Sequence, residues 1–279
     1  MKKILSVLVV VLFYMGSIAQ NSNNESKNKL STEKKSSLLK TISISIKEEG
    51  GANGASVAWH PLKKKYYAAK AGNKIFPMVV ADERGSIVSQ SDLTTMVDVR
   101  GLWYNPNSKT IEGNCYDDGG FFEYVISKTG EMVFEAKTTK QGFNQPTENS
   151  QGAYDKTSNR ILFIDNGVVT YWNKADSMIK PLIELNFQGK QTEQNFYDNY
   201  NEHFIGITNT VGKEIIVLNV TNKTIEFYNI KTGKKTLEAT IPNDVELYST
   251  FNFSFTNGQF FFYDKTTKTW NGYKLEGIK

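Results

Sequence analysis

Residues 101–137, GLWYNPNSKTIEGNCYDDGGFFEYVISKTGEMVFEAK, decide the fold. β-Branched and aromatic residues recur there at every second position, between segments rich in Gly, Asn, Asp and Pro, and this pattern is typical of short strands joined by turns. The stretch therefore predicts four strands, at 103–105, 110–116, 121–127 and 132–136.

The second half of this stretch recurs along the chain. The hairpin at 121–137 has counterparts at 76–92, 168–186 and 224–241, and another pair of strands precedes each of them. The third strands begin near Pro77, Phe121, Val168, Ile225 and Thr269, at intervals of 44, 47, 57 and 44 residues. Four strands in about 45 residues are the signature of a β-propeller blade. The longest interval contains an insertion, roughly 188–202, rich in Gln, Asn and Tyr.

Strand counting also predicts how the ring closes. The last unit lacks a fourth strand, whereas residues 39–47, LKTISISIK, form an additional alternating strand ahead of the first unit. We expect this N-terminal strand to complete the last blade, because closure removes the open edge of the sheet. The sequence thus predicts an all-β fold, a β-propeller of five four-stranded blades. Six blades and a two-sheet sandwich are the alternatives.

Residues 38–279 resemble propellers of the broad WD40, YVTN and quinoprotein-like kind, chiefly through VISKTGEMVFEAK (125–137) and YNIKTGKKTLEATI (228–241). The Trp-Asp dipeptide of WD40 blades, the Gly-Trp motif of quinoprotein blades and the Gly-Gly pair of kelch blades are absent from the expected positions. The resemblance is therefore to the superfold and not to a particular family.

The first residues predict export. Lys2 and Lys3 precede an apolar run at 4–15, and Ser17-Ile18-Ala19 offers small residues at the spacing that a signal peptidase requires. We expect a signal peptide at 1–19, a flexible leader at 20–37 and one propeller domain at 38–279, in the periplasm or outside the cell. A retained anchor helix is the alternative, although the apolar run is short for a membrane span.

Composition and net charge limit the classes of partner and cofactor that we expect. The formal charge of +4 falls to +2 once Lys2 and Lys3 are removed, so neither nucleic acid nor an acidic membrane is an expected partner. Cys115 is the only cysteine, which excludes an internal disulfide, and it is interpreted as a small buried side chain. One Cys and two His residues suggest no metal site. We expect no cofactor, no membrane span after cleavage, and a monomer.

Candidate binding residues lie mainly on the loops that join the fourth strand of one blade to the first strand of the next. These loops, at 47–56, 93–102, 138–151, 187–202 and 243–250, are the longest in the chain, and long loops often carry function. We call the end of the ring that carries them the loop face. Their carboxylates, their exposed rings and neighbouring charged groups give a candidate ligand-binding set: Asp98, Arg100, Asp117, Asp118, Phe143, Asp155, Tyr197 and Tyr200.

Two functions remain open from the sequence. The favoured one is a non-catalytic binding protein or scaffold that engages a protein or a glycan through the loop face, by analogy with other propellers. The alternative is a carbohydrate-active enzyme that uses loop-face carboxylates, which would require two facing acids. Acids converging in the central channel would favour the enzyme, and a channel of Ser, Thr, Asn and apolar groups would favour the binder. Asp117-Asp118-Gly119-Gly120 is interpreted as a turn, and His60 and His203 as solvent-facing.

Overall fold

The computed structural model describes residues 36–187 and 193–275, which form five sheets arranged in a ring. The predicted signal peptide and the predicted leader as far as residue 35 lie outside the described residues. The chain is a five-bladed β-propeller, as the repeat pattern predicted. Within 36–187 and 193–275, no helix is both long and apolar enough to cross a membrane.

The strands follow one another blade by blade. The chain enters through β1 (Ser36–Ser37) and β2 (Leu39–Ser45). Blade 1 contains β3 (Asn53–His60), β4 (Lys65–Ala71) and β5 (Met78–Asp82). Blade 2 contains β6 (Val99–Asn105), β7 (Thr110–Cys115), β8 (Phe121–Ile126) and β9 (Val133–Lys140). Blade 3 contains β10 (Ala153–Asp155), β11 (Arg160–Asp165), β12 (Val168–Asn173) and β13 (Met178–Glu184).

The helix α1 (Glu193–Asn199) precedes the fourth blade. Blade 4 contains β14 (Gly206–Ile207), β15 (Ile215–Asn219), β16 (Thr224–Tyr228) and β17 (Lys235–Thr240). Blade 5 contains β18 (Phe253–Thr256), β19 (Gln259–Asp264) and β20 (Thr269–Lys274). The first strand of each blade faces the central axis, so β3, β6, β10, β14 and β18 form the inner wall.

The N-terminal strand closes the ring, as predicted. β2 pairs antiparallel with β20, with Ile44 opposite Trp270, and it supplies the fourth strand of blade 5. β1 adds to blade 4 by parallel pairing of Ser36 with Ala239. The predicted leader therefore ends two residues earlier than expected, because Ser36 and Ser37 already belong to a sheet.

Blade 1 departs from the predicted four strands. After β5, the chain pairs with it only irregularly, through an isolated bridge between Ala81 and Ile87 and a hydrogen bond from the Val88 N–H to the Val80 carbonyl (2.8 Å). The hydroxyl of Ser89 accepts the N–H of Val80 (3.0 Å). Such side-chain bonds compete with strand pairing, which explains why the outer segment of this blade is not a regular strand.

The insertion before blade 4 holds the helix α1, which the sequence pattern did not predict. Phe196 in α1 and Tyr200 just after it are buried, and their rings stack at 5.3 Å with an interplanar angle of 9°. Both pack against the apolar side chains between blades 3 and 4. A helix of this length is not stable by itself, so we infer that α1 is stabilised by this packing.

The hydrophobic core consists of separate clusters between neighbouring blades. Those at four of the five junctions are extensive, as where Trp270 of blade 5 packs with Val57 of blade 1. Among residues 36–187 and 193–275, the cluster between blades 2 and 3 contains only three buried apolar side chains, which are Trp103, Phe121 and Phe163. The apolar contact between blades 2 and 3 is therefore the smallest in the ring.

Candidate functional site

The inner strands are joined around the axis by side chains, because their inner edges have no partner strand. The Oγ1 of Thr256 accepts the main-chain N–H of Trp59 at 3.0 Å. The Oγ of Ser254 accepts the N–H of Val57 and donates to the Val57 carbonyl, both at 3.0 Å. Small hydroxyl residues on β18 thus satisfy the exposed backbone of β3, as buried polar groups require.

Buried polar side chains occupy the loop-face end of the axis. Arg100 is buried, and its Nη1 donates to Asp98 Oδ1 at 2.5 Å while its Nε donates to Asn149 Oδ1 at 3.1 Å. The guanidinium lies over the rings of Tyr116 (4.6 Å) and Phe251 (5.2 Å), an arrangement that stabilises a cation. These contacts bring blades 2 and 5 together at this end of the ring.

Gln151 crosses the axis just below this group. Its Nε2 donates to the Ala55 carbonyl at 2.5 Å, and so the start of blade 3 is joined to blade 1. The other amide atom, Oε1, is buried and accepts no hydrogen bond from the described residues. A buried acceptor without a donor is costly unless a water or a ligand satisfies it.

A cavity of about 400 Å³ extends from Gln151 toward the opposite end of the ring. We call that end the turn face, because it carries the turns between the first and second strands, including Asn209 and Asn257. Its wall combines neutral polar residues with aromatic ones: Ser56, Thr208, Ser254, Thr256 and Asn257, with Tyr104, Tyr154, Phe204 and Phe255. Among the described residues that line the cavity, Lys156 is the only charged one, and none is an Asp or a Glu.

The structure brings five of the predicted binding residues together on the loop face, beside blade 2: Asp98, Arg100, Asp117, Asp118 and Phe143. The Tyr116 N–H donates to the Asp98 carbonyl at 2.8 Å, and the Gly142 N–H donates to the Asp118 carbonyl at 2.9 Å. Phe143 is 52% exposed. Ligand binding by this group stays a prediction.

Asp117 and Asp118 lie in a turn, as interpreted from the sequence. Residues Asp117–Gly119 form one turn of 3-10 helix, and Gly120 follows with a φ of 73°, which favours glycine. Among the described residues, no group of three or more His, Cys, Asp and Glu side chains is placed to hold a metal ion.

The other three predicted residues lie elsewhere. Asp155 ends β10 at the turn face, and its carboxylate accepts the Thr157 N–H (2.9 Å) and the Ser158 hydroxyl (2.6 Å). Tyr200 is buried and donates its hydroxyl to Glu226 Oε2 at 3.2 Å. Tyr197 is half-buried, with its ring 6.2 Å from that of Phe196. Asp155 thus stabilises a turn, and Tyr200 forms part of the core.

The solvent-facing interpretation of the histidines was wrong for His60. Its ring is fully buried, donates from Nε2 to the Lys109 carbonyl (3.1 Å) and accepts the Lys63 N–H at Nδ1 (3.3 Å), as a neutral imidazole does. Burial lowers its pKa. The side chain of His203 is also only 12% exposed, and burial lowers its pKa to about 4. Both rings are therefore neutral at pH 7.

Sequence reasoning missed the residues of the cavity wall. The predicted candidates lie mainly on the long loops, whereas Ser56, Ser254 and Thr256 lie on first strands, where Ser56 and Ser254 each stand between two apolar residues. Small polar residues alternating with apolar ones on a predicted first strand are the signal that would have found them, because side chains of a strand alternate between its two faces.

No protein-family model matches the chain, and no curated protein matches it in sequence. The structure is similar to glutaminyl cyclase of Myxococcus xanthus, with a TM-score of 0.52, 10% identity, and coverage of 88% of this chain and 98% of that chain. A gluconolactonase of Xanthomonas campestris gives a TM-score of 0.42 at 9% identity, covering 85% and 80% of the two chains. A nidogen/laminin complex gives 0.39 at 12% identity, covering 73% and 67%.

These likenesses are to β-propeller proteins, and the ring of five sheets assigns this chain to the same class. The similar structures include enzymes as well as a complex of binding proteins. At 10% identity, the similarity to the glutaminyl cyclase supports the fold alone.

Proposed function

We propose that the protein is an exported, non-catalytic binding protein whose central cavity takes an uncharged, hydroxyl-rich ligand such as a sugar unit of a glycan. The observation that carries the proposal is the wall of the cavity, in which no described carboxylate is present. Glycoside hydrolysis ordinarily needs two carboxyl groups about 5 to 9 Å apart on either side of the scissile bond. The described residues of the wall offer hydrogen bonds but no pair of carboxyl groups.

The chemistry of the wall supports the choice of ligand. Ser56, Thr208 and Asn257 supply neutral donors and acceptors, and the buried Oε1 of Gln151 lacks a hydrogen-bond donor that a ligand hydroxyl would supply. The rings of Tyr104 and Tyr154 offer apolar faces of the kind that pack against sugar rings. A volume of about 400 Å³ lies in the usual range for small-ligand sites.

The carbohydrate-active enzyme has less support. Asp155 lies in the sequence between two residues of the cavity wall, Tyr154 and Lys156. Both oxygens of its carboxylate already accept hydrogen bonds within its own turn. Export is part of the proposal and rests on the signal-peptide pattern of residues 1–19.

The test is thermal unfolding of residues 20–279 with a panel of neutral mono- and disaccharides. A ligand at 100 times its Kd adds about 2.7 kcal/mol, and we expect a rise in Tm of several degrees for a domain of this size. Lys156→Trp should abolish the rise in Tm, because it places a bulky indole at an exposed position of the cavity wall and so blocks the cavity. Lys231→Trp, at an exposed turn lysine outside the wall, is the matched control.

Sugars that raise the Tm of the wild type and of Lys231→Trp, but not of Lys156→Trp, support the proposal. Hydrolysis of the glycosidic bond in any disaccharide of the panel would establish the enzyme instead. A panel without any shift would overturn the assignment of a neutral sugar to the cavity.

A further inference from the structure

The small apolar contact between blades 2 and 3 leaves a second, larger cavity, which we call the blade 2–3 cleft. Its volume is about 540 Å³. Its lining includes the aromatic residues Trp103, Phe121, Tyr154 and Trp172, together with Glu112 and Lys140.

The rings form a preorganised apolar wall. Phe121 packs edge-on against Trp172, with ring centroids 4.9 Å apart, and against Trp103 at 6.3 Å. Trp172 is half-buried, and its indole Nε1 is buried without an acceptor among the described residues. A buried indole N–H normally has a partner, so this donor needs an acceptor that the described residues do not supply.

Glu112 is held rigidly by protein donors. Its Oε1 accepts the Ser108 hydroxyl at 2.7 Å and the Asn105 amide at 2.9 Å, and its Oε2 accepts the Trp103 indole N–H at 3.3 Å. Because these groups already satisfy the carboxylate, it is poorly suited to bind a cation or to act as a catalytic acid.

The charge of the cleft is positive overall. Lys140, Arg160 and Lys174 line it, against the single carboxylate of Glu112. None of the three cations forms an ion pair with a carboxylate among residues 36–187 and 193–275. The guanidinium of Arg160 lies over the ring of Tyr171, 4.1 Å from its centroid. A ligand that carries an anionic group would form charge-assisted hydrogen bonds with these cations.

We propose that the blade 2–3 cleft is a second binding site, which shares Trp103 and Tyr154 with the lining of the central cavity, and that it takes an acidic saccharide: a pyranose ring that bears a carboxylate. The apolar face of the ring packs on the aromatic wall, a ring or carboxylate oxygen accepts the Trp172 Nε1–H, and the carboxylate lies among Lys140, Arg160 and Lys174. The central cavity, with Lys156 as its single charge, offers no comparable set of cations. The protein thus recognises a neutral sugar and an acidic sugar at different places.

Calorimetric titration of residues 20–279 with the trimer of galacturonic acid, against the neutral galactose trimer of the same linkage, tests the proposal. We expect the acidic trimer to bind with quenching of tryptophan fluorescence, at least tenfold more tightly than the neutral trimer. Its affinity should fall as salt rises, since screening weakens exposed charge pairs.

The variants locate the site. Trp172→Phe keeps an aromatic ring but removes the N–H, and it should weaken binding of the acidic trimer about fivefold to tenfold, the usual worth of one hydrogen bond. Lys174→Gln removes an exposed charge and should weaken it about threefold. Trp59→Phe, at a half-buried tryptophan outside the cleft, is the control and should bind normally.

Equal binding of the two trimers, no binding of either, or unchanged affinity in both Trp172→Phe and Lys174→Gln would overturn the proposal. Lys156→Trp, which blocks the central cavity, should retain binding of the acidic trimer. The tests can therefore overturn the proposal of an acidic-sugar site without overturning that of the neutral-sugar site. They can also overturn the second without the first.

Discussion

The side-chain amide of Gln151 donates a hydrogen bond to the main-chain carbonyl of Ala55, 2.5 Å away, so that two blades that are not neighbours in the ring touch across its axis. This contact forms the floor of the central cavity. The hydrogen bond from Gln151 satisfies one main-chain carbonyl on the inner edge of β3, which has no neighbouring strand to pair with.

We predict that Gln151→Leu destabilises the fold by about 1–3 kcal/mol, because it leaves the Ala55 carbonyl buried without a donor. The free energy of unfolding from urea titration measures the loss. Gln90→Leu, at an exposed position, should change it by less than about 0.5 kcal/mol. Equal effects of the two substitutions would contradict the role given to Gln151.

Closure by β2 depends on one face of that strand. Ile44 is completely buried in the junction of blades 5 and 1, whereas Leu39 of the same strand is 61% exposed. We predict that Ile44→Ala lowers the free energy of unfolding by about 2–5 kcal/mol, the usual cost of a cavity in a core. Leu39→Ala should be nearly neutral. If both variants unfold at the wild-type urea concentration, β2 does not hold the ring closed.

Acidification should weaken the fold before the carboxylates titrate. The folded-state pKa of His203, about 4, lies below its value in an unfolded chain, near 6.5, so the unfolded state binds a proton first as the pH falls. Protonation of His203 therefore leaves the free energy of unfolding unchanged above pH 7 and lowers it as the pH falls from about 6.5 to 4. The decrease due to His203 is about 2 kcal/mol between pH 7 and pH 5.

Urea titration at these two pH values measures the effect. His203→Gln should remove most of this difference, and His60, whose pKa burial also lowers, accounts for a smaller remaining part. A variant with the full pH dependence of the wild type would show that His203 is not the responsible group.

Cys115 should be unreactive in the folded protein. Burial, reinforced by the nearby charge of Asp98, raises the pKa of its thiol to about 12. At pH 8 the thiolate fraction is then lower than that of a free cysteine by a factor on the order of a thousand. We expect iodoacetamide to label the protein in urea but not in buffer, as mass spectrometry would detect. Rapid labelling of the folded chain would show that the thiol is accessible.

The repeat and the ring closure were predictable because they depend on local chemistry that the sequence displays. The Thr129-Gly130 and Thr232-Gly233 pairs form turns in which the glycines have φ values of 81° and 65°. The alternation in residues 39–47 marks a strand with one buried face. Both patterns can be recognised in a single sequence, because each depends only on residues that are neighbours in the chain.

The cavity and the cleft were not predictable, because they depend on how closely separate blades approach. Ser254 is a wall residue of the cavity only because β18 lies beside β3. Trp172 looks like an ordinary core residue in the sequence, and its exposure to a gap follows from the position of blade 2. In the same way, the burial of Tyr200 depends on the helix α1, for which residues 188–202 give no clear periodicity.

Pairing between β2 and β20 has a consequence for the order of assembly. Thr41 Oγ1 donates to the carbonyl of Gly272, which is 231 residues further along the chain. The ribosome makes β2 long before its partner, so the final contact of the ring waits until almost the whole domain has been synthesised, and such distant contacts form slowly. If the protein is exported through a translocation channel in an unfolded state, this delay keeps the ring open until the chain has crossed.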